Sequence, residues 1–380
     1  MQITNDSFQE IIEGKTKLMV PKESITSTVP PKEPAFFNPK AKLSRDFSVI
    51  VYGTFLKKFE GPKIFLEGLS GIGARGLRVA NELSLENVVI NDLNPSALEL
   101  AKFSKDLNNL KNVAFSENEI CRFFSEYSKK GSRASIVDID PFGSPAPFFD
   151  CGLRATIHGG LLSCTATDLQ VLNGLFQNAC KRKYGGVPLR AGYGNEIAIR
   201  LILGCLRMVA GRMGLEIIPL YVESNFHYYR IYVKVHKRPD QEENLGFIIH
   251  CKNCGNRKIS LEKNEHCELC TSKNNIAGPL WISRIFDKKF VNNMILKISE
   301  LSVDKNCEKI LRKCLAESEL PGIYFTLDEI ASKMKSSPPK LEDAINNLQK
   351  NGFVASPTSF SPTGFRTNAN IKEIITVFSS

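Results

Sequence analysis

The chain of 380 residues is 42% apolar, carries a formal net charge of +10 and has a pI near 9.0. That length accommodates two or three domains with cores of their own, and the basic balance suits an anionic partner. No run of about 18 apolar residues occurs. Met1 to Glu10 lacks a basic stretch followed by an apolar one, so no membrane span or secretory leader is expected and the cytoplasm is the expected compartment.

The charge is uneven. Residues 241–285 carry six Lys and Arg against five acids, and residues 286–380 thirteen against eleven, so most of the excess lies in residues 1–240. Eleven cysteines is an odd number, and seven are scattered without pattern, which argues against a secreted disulfide framework. Cys164 and Cys205 fall in apolar segments, where a thiol behaves as a small core residue.

In chain order, Gly14 to Val20 is a strand pattern, and Pro30 to Pro39 is a proline-rich approach that contains Phe36 and Phe37. Arg45-Asp46 then precedes an apolar helix, Phe47 to Phe59. Ile64-Phe65-Leu66 reads as a short buried strand that ends at Glu67, breaks on small residues and opens a helix from Arg75 to Leu83. Glycine lets a ligand approach the backbone there, and the helix N-terminus offers unpaired N–H groups.

Gly71, Gly73 and Gly76 match the dinucleotide pattern G-x-G-x-x-G. Two acids move the reading away from a dinucleotide. Glu67 stands before the glycines, where it would repel a pyrophosphate, and Asp92 follows the strand Asn87 to Ile90, where a carboxylate can accept both ribose hydroxyls. An acid, a glycine turn and a ribose acid fit S-adenosylmethionine better than NAD.

The strand-helix rhythm continues. Pro95 to Leu110 is a helix with Asn94 as its N-cap, and Val113 to Ser116 leads to Glu119. Ser135 to Ile139 ends at Asp140, and Gly160 to Ala166 ends at Asp168. Repeated β-α units with polar strand ends predict an open parallel sheet with the ligand along that edge. A long helix, Glu196 to Gly211, then precedes two strands, Ile217 to Val222 and Tyr228 to Val235, which predict an antiparallel hairpin closing the sheet. The expected fold class is therefore α/β, a Rossmann-like class I methyltransferase sheet.

Asp140-Pro141-Phe142-Gly143-Ser144-Pro145 carries the chemistry. The prolines fix the backbone after the strand, so that Asp140 and Phe142 project beside the cofactor site. Methylation of a planar amine needs an acceptor for the N–H and a stacking face for the ring. The bland alternative is a rigid turn with Phe142 in the core.

Farther on, Cys251-x-x-Cys254 and Cys267-x-x-Cys270 form two knuckles, with Gly255 suited to the first turn. Four thiolates on two knuckles predict a closed, structural Zn²⁺ site, with His250 and His266 surplus. Thr326 caps a helix from Leu327 to Lys335, a Ser336 to Pro339 turn follows, and Leu341 to Asn351 is a second helix. Gly352-Phe353-Val354 then begins a strand, as in a winged helix.

The chain resembles the tRNA (guanine-N2) dimethyltransferase family, which modifies guanine 26. The pieces that carry the resemblance are Glu-Gly-Lys at Glu13, Phe-Asn-Pro at 37–39, Arg-Asp at 45–46, Ser-Gly-x-Gly-x-Arg-Gly from Ser70 and Asn-Asp at 91–92. Asp-Pro-Phe-Gly-Ser-Pro from Asp140, Ala-Thr-Asp from Ala166 and Phe-Ser-Pro-Thr-Gly from Phe360 complete them. The resemblance implies that Arg45 binds the methionine carboxylate, Arg75 helps order the glycine turn and the cofactor, and Asp92 holds the ribose. It places Glu119, with Ile120 beside it, at the adenine. Asp140, helped by the Pro141 carbonyl, would accept the guanine N2 proton, while Phe142 and Phe36 stack on the flipped base. Ser44 and Glu119 stand where the family often carries asparagine and aspartate.

Lys181, Arg182 and Lys183 are expected on tRNA phosphates, or else in a solvated loop. The expected division is a methyltransferase domain over 1–240, a zinc ribbon over 241–285 and a winged-helix-like docking region over 286–380. A monomer with no obligate protein partner is expected. The residues alone leave open an adenine-N6 or other amine methyltransferase and a non-catalytic zinc-ribbon adaptor.

Overall fold

The computed structural model describes residues 7–237 and 243–379; residues 1–6 and the expected boundary at 240/241 lie outside them. A hairpin of β1 (Phe8–Glu13) and β2 (Thr16–Pro21) comes first. The central sheet comprises β3 (Ile64–Glu67), β4 (Asn87–Asn91), β5 (Val113–Ser116), β6 (Ala134–Ile139), β7 (Thr156–Ala166), β8 (Glu216–Ser224) and β9 (Tyr229–His236). Their order is β5-β4-β3-β6-β7-β9-β8, and only β9 runs opposite to the other six strands. The C-terminal ends of the parallel strands therefore share one edge with the β8–β9 turn. The apolar runs that predict buried strands are buried: every residue of β6 is covered, as helices on both faces of a parallel sheet require.

Local chemistry sets the helix ends. Asn38 caps a short 3-10 turn, Pro39–Ala41, which runs into the helix Lys42–Leu56 five residues before the expected start. Asn94 Oδ1 accepts from the Ser96 and Ala97 amides at 3.0 and 3.3 Å, opening the helix Pro95–Leu107. The expected first strand is β2, and its partner β1 carries no comparable sequence signal. Cys121 and Cys151 form a disulfide between the helices Ile120–Glu126 and Phe149–Ala155.

In the second half, β10 (Leu245–His250), β11 (Arg257–Ser260) and β12 (Asn275–Trp281) form a sheet with β10 in the centre. The third sheet takes β13 (Phe325–Thr326), β14 (Ala355–Pro357) and β15 (Gly364–Thr367) in the order β13-β15-β14, beside the helices Leu327–Met334 and Leu341–Lys350. The strand expected at Gly352 begins three residues later. Gly352, at φ +87°, instead ends the preceding helix, and the Phe353 amide donates to the Leu348 carbonyl at 3.0 Å.

One apolar core joins the central sheet to the second half. It runs from Phe8 through Trp281 and Leu311, while a separate core gathers Phe325, Ile330, Leu348, Phe365 and Ile374. The helices Lys288–Ile298 and Asn306–Glu317 belong to the first core, and the Asp304 amide donates to Asp46 Oδ2 at 3.1 Å. Buried Glu196, on the helix Gly194–Arg212, ties the units together by accepting from the Ile323 amide and pairing with Arg200 and Arg366 at 2.8 and 3.0 Å. Burial would raise its carboxyl, but the two arginines hold it down at about 2.

Candidate active site

The glycine turn is pinned from below. Gly76 N–H donates to Glu67 Oε2 at 3.0 Å, and a Cβ at Gly76 would fall 2.5 Å from that oxygen. Gly71 sits at φ +54°, and a Cβ there would meet the Phe36 carbonyl at 3.0 Å. The proline-rich segment thus crosses directly over the turn, held also by Asn94 Nδ2, which donates to the Pro34 carbonyl at 2.9 Å.

Asp92, at the end of β4, accepts from the Gly71 amide at 2.6 Å through Oδ2 and from the Asn94 amide at 2.9 Å through Oδ1. It joins the turn to the next helix while remaining half exposed. Glu119 is exposed and caps the helix Ile120–Glu126, accepting from the Arg122 amide at 2.9 Å. Ile120 is buried, and its side chain fills the space that a Cβ on Gly68 would need. Arg45 lies deeper than a freely offered ligand: its Nε and Nη2 donate to Glu13 at 2.8 and 2.6 Å, and Nη2 also reaches the Asn38 carbonyl at 3.1 Å.

At the next strand end Asp140 is 30% exposed, and its Oδ2 accepts from Arg75 Nη2. Arg75 Nε lies 3.1 Å from Asp138 Oδ2, and its Nη1 donates to Ser48 Oγ. Asp138 is fully buried and accepts from Tyr52 at 3.0 Å, Ser163 at 2.6 Å and Arg230 Nη2. Burial would raise Asp138, but Arg230 and Arg75 pull it below the usual carboxylate range. Glu67 goes the other way: burial, then Asp138, push its carboxyl well above that range, against the pull of Arg75 and the Gly76 amide. Two arginines thus stand against Asp138 and Asp140 beside Glu67, a third acid driven toward its neutral form.

Gly143 and Thr167 lock the Asp-Pro-Phe loop to the end of β7. The Gly143 amide donates to Thr167 Oγ1 at 2.6 Å, and the Thr167 amide donates to the Gly143 carbonyl at 2.9 Å. Pro141 is buried between Asp140 and Phe142, which is 65% exposed and so lies outside the core. The Phe142 ring meets Phe36 edge to face, with centroids 4.9 Å apart. A base held between two rings needs about 7 Å, twice a van der Waals contact, so the pair must part to sandwich one.

Lys181, Arg182 and Lys183 form the last turn of the helix Gln177–Tyr184 rather than a loop, with all three exposed. Lys183 donates to Asp168 Oδ2 at 3.1 Å and the Tyr184 hydroxyl to Oδ1 at 2.7 Å, which engages both oxygens of that second carboxylate. Cys251, Cys254, Cys267 and Cys270 bring their Sγ atoms within 4.8 Å of one another. The 251–270 and 254–267 sulfurs are each 3.5 Å apart, close to the roughly 3.8 Å edge of a tetrahedron of 2.3 Å zinc–sulfur bonds. The two knuckles repeat one geometry: Gly255 and Thr271 both have positive φ, and their amides both donate back to the first cysteine's carbonyl at 2.8 Å.

Arg230, Asp138 and Tyr52 did not emerge from motif reading. For Arg230 and Asp138 a signal was present, since a charged residue inside Tyr229-Arg230-Ile231 or Val137-Asp138-Ile139 interrupts a buried strand and needs a partner.

A family profile described as N2,N2-dimethylguanosine tRNA methyltransferase matches residues 14–379. The chain is 32% identical over 388 aligned residues to the tRNA (guanine(26)-N(2))-dimethyltransferase of Methanobrevibacter smithii, with 98% of each chain covered. It is 34% identical to that of Methanococcus maripaludis, with 97% of each covered. Trm1 from Pyrococcus horikoshii, solved in complex with S-adenosyl-L-methionine, superposes with a TM-score of 0.83 at 30% identity, covering 97% of this chain and 99% of that one. The chain belongs to the N2,N2-dimethylguanosine tRNA methyltransferase family.

Proposed function

We propose that this tRNA methyltransferase uses Asp140 to accept the proton of guanine 26 N2 while one or two methyl groups are transferred to that nitrogen. The observation that carries the reading is the half-open carboxylate of Asp140, fixed by Arg75 at the cofactor edge beside an exposed phenylalanine. S-adenosylmethionine supplies the electrophilic methyl group when bound.

The chain's own residues bind, aim and hold. Asp92 directs its remaining lone pairs to the ribose, Gly71 and Gly73 hold the turn beside the cofactor at positive φ, and Ile120 with Glu119 bounds the adenine side. Arg45 keeps Nη1 for the methionine carboxylate while Glu13 holds the rest of its fork. Glu67 and Arg75 shape the turn from beneath. Arg75 occupies one oxygen of Asp140, which leaves the other to accept the N2–H and to favour the pyramidal nitrogen that forms as the methyl arrives. The Pro141 carbonyl assists. Phe142 supplies the stacking face, and Phe36 swings from it to admit the base.

Lys181 and Arg182 meet the tRNA backbone, with Lys183 shared between a phosphate and Asp168. Zn²⁺ on Cys251, Cys254, Cys267 and Cys270 holds the ribbon of residues 241–285 and, fully ligated by protein, offers no water for chemistry. Residues 1–240 carry the reaction, residues 286–380 dock tRNA through their winged-helix-like part, and the chain acts as a monomer. Among the described residues no helix is long and apolar enough to cross a membrane. The relatives compared along their full length are named as guanine-N2 dimethyltransferases, which favours that reading over the adenine and adaptor ones.

Incubation with labelled S-adenosylmethionine and unmodified tRNA, followed by nucleoside analysis, should give N2-methylated guanosine. Label in another nucleoside, or none in RNA, would contradict the reading.

A further inference from the structure

The turn between β8 and β9 shares the catalytic edge and carries the most exposed large apolar side chain among the described residues. Phe226 is 89% exposed at the tip of this turn. The tip is braced: the Asn225 amide donates to the Tyr228 carbonyl at 3.0 Å, and Ser224 pairs with Tyr229 across the ladder. Beneath it, buried Glu223 accepts from Tyr228 at 3.0 Å and from Tyr232 at 2.8 Å. A phenylalanine held out in water on so fixed a support gains little within the fold, because nearly all of its apolar surface remains hydrated.

The position of the tip identifies what it meets. Tyr229 pairs with Ala166 at the end of β7, the residue next to the Thr167 that is clamped to the Asp-Pro-Phe loop. From β6 through β7 and β9 to β8 there are two to three strand spacings, so the tip lies roughly 10–14 Å along the edge from the strand that ends at Asp140. A base swung out of a stack moves by on the order of 10 Å and leaves a slot one base thick behind it. Leu175 and Phe176, also more than half exposed, and the cations Lys181 and Arg182 follow β7 on this edge, which suits a polyanion bearing flat apolar faces.

We propose that Phe226 is a wedge that enters the stack vacated by the target guanine and holds the base out toward Asp140. The inference rests on the methyltransferase reading above. It makes Phe226 a positioning residue, acting on the RNA rather than on the methyl group. Unstacking a base costs free energy, and an apolar side chain in the gap offsets part of it.

The test compares Phe226→Ala and Phe226→Leu with wild type on two RNAs. One is the folded tRNA, and the other is a short RNA that presents the same guanine unstacked in a flexible loop. The Ala variant should lose about 10- to 100-fold in kcat/KM on folded tRNA and less than about threefold on the loop RNA, with Leu recovering most of the loss. With 2-aminopurine in place of the target guanine, wild type should raise the fluorescence of bound tRNA and the Ala variant should not. An equal loss on both RNAs, or no loss on folded tRNA, overturns the wedge while leaving the methyltransferase reading intact. If wild type methylates neither RNA, the methyltransferase reading fails and the wedge falls with it.

Discussion

Arg75 and Asp140 face each other at the C-terminal edge of the parallel strands, with one guanidinium nitrogen donating to one carboxylate oxygen. The bond divides the carboxylate into a held oxygen and an open one. Because Arg75 also spans to Asp138 and Ser48, a point charge at the same position could not reproduce it.

Arg75→Lys should therefore fold and bind S-adenosylmethionine but lose aim at Asp140. A single-turnover rate reduced by about 10²-fold is expected, the usual cost of a reacting group displaced by an ångström. Arg75→Ala should in addition lower stability by about 3–5 kcal/mol, because it leaves Asp138 short of a buried partner. A lysine variant with the wild-type rate would show that the fork does not aim the carboxylate.

Asp92 separates two roles that look alike in sequence. It already accepts from Gly71 and Asn94, so Asp92→Ala loses both the turn's anchor and the acceptor for the ribose. Calorimetry should show S-adenosylmethionine binding weakened by roughly 2 kcal/mol, about 30-fold. Unchanged affinity would mean that Asp92 serves the turn alone.

Much of this site was legible because strand, turn and knuckle signals are local. The strand that ends at Glu67, the glycine turn, the Asp92 position, the closing hairpin and the two cysteine pairs all follow from spacing over a few residues. What escaped depends on partners far along the chain. Nothing near Arg45 announces Glu13, nothing near Arg75 announces Arg230 155 residues later, and the pairing of Cys121 with Cys151 needs two helices to meet. Glu119, which the resemblance places at the adenine, stands just before Ile120-Cys121-Arg122 and caps that helix, a role its sequence position also allows. Gly352 followed by an apolar pair suits a strand start or a helix stop, and hydrogen bonding decided for the stop.

The pH dependence of stability should carry the mark of Glu223. Burial pushes its carboxyl up to about 7, against the pull of Arg230 and the hydrogen bonds from Tyr232 and Tyr228. A carboxyl raised in the folded state stabilises the fold below the unfolded pKa, near 4.5, and that contribution disappears as pH rises through 7. Relative to Glu223→Gln, wild type should thus lose about 3 kcal/mol between pH 4.5 and 7.5, read from urea midpoints. Parallel profiles for the two proteins would place Glu223 at an ordinary pKa.

Zinc removal should act on the ribbon and leave the catalytic edge in place. Chelation should unfold the two cysteine knuckles and β11 between them, seen as fast amide exchange there, and weaken tRNA binding, while S-adenosylmethionine affinity stays within about twofold. Metal analysis giving well under one zinc per chain in protein prepared without chelators would contradict the assignment.

The most direct measurement is the single-turnover methylation rate of Asp140→Ala with tRNA and S-adenosylmethionine both saturating. If Asp140 accepts the N2 proton, the rate falls by roughly 10²–10⁴-fold, by less in Asp140→Asn, and cofactor affinity changes little. Methylation by Asp140→Ala at the wild-type rate would contradict the account.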